Sequence, residues 1–239
     1  MNEKDEIIKL YRDTRVTSTF DEERWAFEYQ RYKHRLEASV LSKVLKNKGK
    51  IRVLDVACGT GRMVPVVFNS NKEVGYTGLD TSKEMTAHLK KKANGMGIGK
   101  SVKVVIGDAT KMPFKDNEFD VVFSYHLLWH LPKEEQDKII KEMVRVARPG
   151  GMIVFDILNK NFLYEKIKDL FNMKKLQGIH KMTIGEARID VGNRNVKVDK
   201  LFDAHIENSF LYGIINLLNK CSRILPSSLF HMLFLTTKK

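Results

Sequence analysis

The sequence predicts an α/β fold, a doubly wound and mostly parallel sheet with helices on both faces. Three observations lead there. Short apolar runs rich in β-branched residues recur at 51–56, 74–79, 102–106, 119–123 and 152–157, and stretches of helical spacing separate the earlier ones. The first run ends in a glycine turn that opens into a helix, and the second and third end in carboxylates. Strands covered on both faces read as nearly continuous apolar runs of this kind, because helices shield each side.

The elements follow in chain order. Residues 1–20 are polar. Asp21 is placed to cap a helix over Glu22–Leu45, on which Trp25, Tyr29, Tyr32, Leu36, Val40 and Val44 recur at helical spacing as a buried face. After Gly49 comes the first strand, and then Asp55-Val56-Ala57-Cys58-Gly59-Thr60-Gly61-Arg62-Met63. Gly59 and Gly61 allow a sharp turn and a close approach to a ligand, and a helix predicted over about Thr60–Asn69 points its N–H groups there. Pro65 fits that helix only within its first turn.

Two readings of this turn differ in specificity. The glycines, with Asp80 about twenty residues on, fit a dinucleotide fingerprint, but Val64 stands at its third glycine position. The longer run Asp55 to Arg62 resembles motif I, D-x-A-x-G-x-G-x, of the class I S-adenosylmethionine (SAM)-dependent methyltransferases. The next strand, Val74–Leu79, ends at Asp80, where a carboxylate can accept both hydroxyls of a ribose. That role serves NAD and SAM alike. Thr81 or Ser82 caps the helix that follows, with Met85 in its first turn.

The third strand, Val102–Gly107, leads into Asp108-Ala109-Thr110, Met112-Pro113-Phe114 and Phe119-Asp120-Val121-Val122. This resembles the methyltransferase pattern G-D-A-x-x-x-P-F-x-x-x-x-F-D-V-V, which discriminates SAM from NAD. The resemblance implies that the Asp108 carboxylate accepts from the adenine amino group while the Ala109 N–H bonds a ring nitrogen. The fourth strand, Phe119–Ser124, runs into Tyr125-His126-Leu127-Leu128-Trp129-His130 at the strand-end crevice where open α/β sheets bind ligands. Pro132–Ala147 is the next helix, and Arg145-Val146-Ala147-Arg148-Pro149-Gly150-Gly151 resembles the family's R-V-x-R-P-G-G turn into the strand Met152–Ile157.

Beyond 157 the likeness is one of arrangement. A helix is predicted over Asn161–Lys175, a capping box at Thr183-Ile184-Gly185-Glu186, and a strand over Val196–Phe202. A helix over Phe210–Leu225 and a strand over Leu229–Thr236 complete the chain. The resemblance implies a Rossmann-like sheet of seven strands closed by an antiparallel C-terminal edge hairpin. It implies that residues 1–48 form a helical lid, with residues 49–239 as the SAM-binding domain. Within that domain 51–157 carry the motifs and 158–239 form the variable substrate side. Tyr11, Arg24 and Arg31 are the lid residues of the type that meets the methionine carboxylate.

Composition narrows the setting. The chain has 239 residues, 43% of them hydrophobic, enough for a sizeable core. No apolar run approaches the roughly 18 residues of a membrane span, and the charged start Met1–Glu6 is unlike a signal peptide. Cys58 and Cys221 match no metal or redox spacing, so a reducing cytoplasmic location is expected, and no metal site. The net charge is +13, of which +7 falls in 158–239. Such a surface suits anionic lipid, nucleic acid or an acidic substrate, or reflects a background bias.

The resemblance implies methyl transfer from SAM to an acceptor, with release of S-adenosylhomocysteine. Asp55, Ala57, Gly59, Thr60, Gly61, Met63, Asp80, Thr81, Met85, Asp108, Ala109, Thr110, Ser124 and Tyr125 are the expected cofactor contacts. His126 and His130 stand where a base would act, on one face if the segment is helical, and packing is the competing role for both. Trp129 is expected beside the adenine or in the acceptor pocket. Ser124-Tyr125-His126-Leu127 lacks the Asn/Asp-Pro-Pro-aromatic run of base-amino methyltransferases, so nucleic acid is the less favoured acceptor. A small molecule is favoured, of the quinone or lipid-precursor kind, and Phe210–Leu235 is a candidate contact with an anionic membrane. RNA modification, supported by charge alone, and a SAM-binding partner protein without turnover are the alternatives.

Overall fold

A computed structural model describes residues 28–162, 179–192, 194–201, 226–227, 230 and 232–239, with isolated positions at 9, 13, 19, 21 and 26. The helices expected over Asn161–Lys175 and Phe210–Leu225 lie almost wholly outside these residues, as do Tyr11, Arg24 and Trp25.

Seven strands form one sheet in the order β3-β2-β1-β4-β5-β7-β6. They are β1 Ile51–Val56, β2 Val74–Asp80, β3 Val102–Ile106, β4 Phe119–Ser124, β5 Ala147–Leu158, β6 Val196–Leu201 and β7 Met232–Lys238. β1 pairs in parallel with β2 and with β4, β2 with β3, and β4 with β5. β7 runs antiparallel to β5 and to β6, which makes the expected C-terminal edge hairpin. The chain order reverses between β1 and β4. Parallel sheets of this kind bind ligands beyond their strand ends at such a switch point.

The helices cover both faces. α1 Glu28–Leu45 packs on α2 Val64–Ser70. Val40, Leu41, Val44 and Leu45 of α1 join Val53, Phe68, Tyr76 and Phe123 in one apolar cluster. On the other face α4 Lys133–Val146 places Ile139, Ile140, Met143 and Val146 with Val122, Ile153 and Phe155. α3 Lys83–Gly95 follows β2, and its N-cap Ser82 accepts from the Met85 N–H. α5 Ile184–Asp190 opens with the predicted capping box between Thr183 and Glu186.

Several local expectations shift. α2 starts at Val64, four residues later than expected, with Pro65 in its first turn. Gly61 is the reason: its φ of +75° lies outside the helical region, and a Cβ there would sit 2.6 Å from Leu89 Cγ. Asp21 is itself helical and serves as a tie instead of an end cap. Its carboxylate accepts from the Thr60 hydroxyl at 2.6 Å and from Lys92 at 3.1 Å. The buried side of α1 is rotated towards Lys33, Glu37, Leu41 and Leu45, while Tyr32 and Leu36 are half-buried. The last strand lies at 232–238 instead of 229–236, and β5 extends back through Arg148-Pro149-Gly150-Gly151.

That turn and Arg145 fasten the sheet to the loop after β3. The Arg145 guanidinium donates to the carbonyls of Phe114 and Met112 at 2.8 and 3.0 Å. Glu142 accepts from the Met112 N–H at 2.7 Å and from Arg145, so helix α4 holds the loop that starts at Asp108. At Gly151 an added Cβ would lie 2.9 to 3.2 Å from the carbonyls of Arg148, Asp120 and Phe119, none of which can swing aside. Gly151→Ala is therefore expected to cost about 1–3 kcal/mol in urea unfolding. Gly75→Ala, whose Cβ would meet nothing closer than 3.9 Å, should cost less than about 0.5 kcal/mol. Equal effects of the two substitutions would contradict this reading of the turn.

Candidate active site

The strand ends place three carboxylates around one cleft. Asp55 on β1, Asp80 at the end of β2 and Asp108 just beyond β3 all line it. Ala57, Gly59, Thr60 and Met63 of the turn form one wall, and Thr81, Met85 and Ala109 another. Tyr125, His126, Leu127, His130, Leu131 and Ile139 complete it.

The turn owes its shape to backbone bonds from the neighbouring strand. The Cys58 N–H donates to the Leu79 carbonyl at 3.1 Å, and the Gly59 N–H to Asp80 Oδ2 at 2.8 Å. Asp80 Oδ1 accepts from the Ser82 N–H at 2.9 Å. These bonds hold both carboxylate oxygens of Asp80 in place at the strand end. Burial raises the Asp80 carboxyl above its usual range, against the backbone N–H groups of Ser82, Gly59 and Thr81. Asp108 is fixed at the third strand end by the Thr110 N–H and hydroxyl, both on Oδ1 at 2.9 and 2.8 Å.

Asp55 is fully buried and accepts from the Tyr76 hydroxyl at 2.6 Å. Burial pushes its carboxyl up to about 7, against that hydrogen bond and the Arg62 charge. Cys58 lines the cleft as a buried thiol whose pKa burial holds well above its usual value, the opposite of what a nucleophile needs.

Beneath α1 lies a buried polar cluster. Glu37 is ion-paired with Arg62, and His126 Nε2 lies 2.5 Å from Glu37 Oε1. Arg62 also meets His34 Nδ1 at 2.9 Å, and the Tyr125 hydroxyl donates to the Glu37 carbonyl at 3.3 Å. Burial pushes the Glu37 carboxyl up, but the charges of Arg62, His126 and Lys33 hold it well below the usual carboxylate range. Burial, with Lys33 and Arg62, lowers His126 well below 6.5 although Glu37 opposes the shift. Glu37 is thus the acceptor of the pair, and burial disfavours charge on the imidazole. The His126 N–H donates to Asp156 Oδ1 at 2.9 Å, and Asp156 is raised to about 6 by burial and by Glu37.

Of the residues expected at the site, Gly61, Thr110 and Ser124 do not line the cleft. Gly61 packs on Leu89, Thr110 holds Asp108, and the Ser124 hydroxyl donates to the Val56 carbonyl at 2.9 Å. Arg31 is exposed on α1, with a bond to the Ala26 carbonyl. His126 and His130 both line the cleft, but not by helical spacing. His126 has φ +64° and only Leu128–His130 forms a 3₁₀ turn. Trp129 lies outside the lining, 3.9 Å from the His130 ring centroid and under Lys33. The expected set omitted Glu37, Lys33 and Asp156, although Lys33 and Glu37 share the i, i+4 stripe of Leu41 and Leu45. Charges on an apolar helix stripe are the sequence signal for such a cluster.

Residues 54–155 match the family model described as a methyltransferase domain. Over that stretch the chain is similar to methyltransferase domains. Over 116 residues the chain is 38% identical to a Staphylococcus aureus demethylmenaquinone methyltransferase, covering 47% of this chain and 46% of that protein. Over 122 residues it is 31% identical to a Caenorhabditis elegans sterol 4-C-methyltransferase, covering 51% of this chain and 35% of that protein. The chain thus spans half or less of the length of these curated relatives. A Haemonchus contortus phosphoethanolamine N-methyltransferase solved with SAM superposes with a TM-score of 0.61 at 16% identity, over 86% of this chain and 52% of that one, and shows the shared fold.

The shifted carboxyl sets a pH test of the methyltransferase core. An Asp55 carboxyl near 7 in the folded chain, against 3.8 as the ordinary value, keeps a proton that the unfolded chain releases. Its contribution is present below about pH 4 and is lost as pH rises towards 7, by at most ~4 kcal/mol. His126 acts oppositely, because a buried neutral imidazole loses stability as pH falls below 6.5. Urea unfolding at pH 5 and pH 8 should therefore show wild type losing more stability than Asp55→Asn on going to pH 8. Parallel pH profiles for the two proteins would overturn the assignment.

Proposed function

We propose that the chain binds SAM in this cleft and transfers its methyl group to a small apolar acceptor of quinone or lipid-like character. The observation that carries the reading is the convergence of Asp55, Asp80 and Asp108 from three adjacent strands on one cleft. Asp80 would accept the ribose hydroxyls, and Asp108 with the Ala109 N–H would meet the donor and acceptor edge of adenine. Gly59 and Thr60 would face the methionine portion, and Met85 and Leu131 would cover the purine. SAM, when bound, supplies an already activated sulfonium methyl, so the chain's main task is alignment. Good alignment contributes several kcal/mol.

The acceptor class rests on two supports. The wall beyond the turn carries apolar Leu127 and Ile139 beside His126 and His130. The names of the two relatives, a sterol and a demethylmenaquinone methyltransferase, also point to apolar acceptors. We take residues 1–48 as a cap over the site, because Glu37 of α1 reaches Arg62 and His126, and a cytoplasmic setting as the simplest one for this chemistry. Among the described residues no helix is long and apolar enough to cross a membrane. Contact with anionic lipid is assigned to the basic 158–239 segment, most of whose apolar part, Phe210–Leu235, lies outside the described residues. The net charge of +13 also favours RNA as a competing acceptor.

Calorimetry tests the cofactor directly. Micromolar binding of SAM or its product is expected, weakened about 10–100-fold in Asp80→Ala and in Asp108→Ala, the effect of losing hydrogen bonds to a charged group. NAD binding without SAM binding would overturn the proposal. Turnover of a short-chain hydroquinone or a sterol, insensitive to salt, would favour the apolar acceptor over RNA. Unchanged turnover at saturating substrate in His126→Ala and His130→Ala would remove both histidines as bases.

A further inference from the structure

We propose that Glu37, on the helix that caps the site, positions His126 as the base of the reaction by fixing its ring as the Nε2–H tautomer. The inference rests on the methyltransferase reading and adds to it the residue that selects the accepting atom. Three observations carry it. His126 lines the cleft and has φ +64°, a backbone cost of about 1–2 kcal/mol that a bulky residue bears only where its surroundings impose it. In that conformation the His126 backbone N–H donates to Asp156 Oδ1 at 2.9 Å. Glu37 meets His126 Nε2 at 2.5 Å with one carboxylate oxygen and Arg62 with the other.

A carboxylate only accepts, so Nε2 carries a proton, and in the neutral ring Nδ1 keeps its lone pair. Burial disfavours a second proton on the ring, Glu37 opposes that, and Lys33 and Arg62 add to it; Asp156 is bonded to the backbone N–H, and Trp129 lies at the ring with centroids 5.8 Å apart. In the transfer step the acceptor's X–H proton passes to Nδ1. The X–H electron pair forms the X–CH₃ bond, and the carbon–sulfur pair returns to sulfur as the neutral thioether. The positive charge leaves the sulfonium and appears on the imidazole, where Glu37 stabilises it.

Glu37→Gln separates positioning from packing. The Arg62 guanidinium can only donate, so the amide oxygen turns to Arg62 and the amide NH₂ faces His126. Nε2 must then accept, and the ring proton moves to Nδ1. The full-length chain with ¹⁵N-labelled histidine, the His126 signals identified by His126→Gln, reads this at pH 7.5. We expect Nε2–H in the wild type, the inverted tautomer in Glu37→Gln, and the wild-type tautomer restored in Glu37→Asp. A wild-type ring protonated on Nδ1, or one unchanged by Glu37→Gln, would overturn the proposal. S-adenosylhomocysteine binding to the same samples should differ by less than about threefold. Its absence from every sample would sink the methyltransferase reading, while the tautomer measured without it still judges Glu37. With a hydroquinone that turns over, kcat should fall about 10²–10⁴-fold in Glu37→Gln, the usual cost of a misplaced base, and an unchanged kcat would contradict the role.

Discussion

The site depends on how the end of β1 is bonded to the end of β2. Two N–H groups of the turn, from Cys58 and Gly59, reach across to Leu79 and Asp80. They satisfy polar groups that a buried strand end would otherwise leave unpaired, a loss of about 1–3 kcal/mol each. They also lock Asp80 at the rim, since one of the bonds falls on its side chain. A left-handed Ala57 and Gly61 follow from the same constraint, because the chain must fold back within a few residues to start α2. The cleft is the space this turn leaves between the strand ends and the loops beyond them.

Charge inside that space is handled by burial as much as by pairing. Asp55 and Asp156 are buried carboxyls raised towards neutrality, to about 7 and about 6. Glu37 is equally buried yet stays ionised, because Arg62 and His126 are both in contact with it. A buried charge pair of this kind does little for stability by itself, and removing one partner is costly. Its presence between the capping helix, the cofactor turn and the loop after β4 is better explained by function. It makes the docking of α1 a condition for the orientation of His126.

Much of this was legible in the residues. Apolar β-branched runs, the glycine turn and the acids at 80 and 108 led to five parallel strands and to the cleft between them, and the family likeness supplied the antiparallel edge. The Thr183–Glu186 capping box formed as its spacing implied. What the residues did not reveal depends on tertiary geometry. α2 starts at Val64 because Gly61 adopts a left-handed φ, with no room for a Cβ beside Leu89. The two histidines share the cleft through a turn with a left-handed His126 and a short 3₁₀ segment, and not through one helix face. Glu37 is a single acid on a helix stripe, and it is the fold that brings Arg62 and His126 against it.

The most direct measurement is a crystal structure of the chain with S-adenosylhomocysteine. The adenine amino group should lie within hydrogen-bond distance of the Asp108 carboxylate, both ribose hydroxyls on Asp80, and the sulfur on the His126 side of the cleft. A ligand bound outside the β1–β2–β3 strand ends, or a ribose that avoids Asp80, would contradict the account.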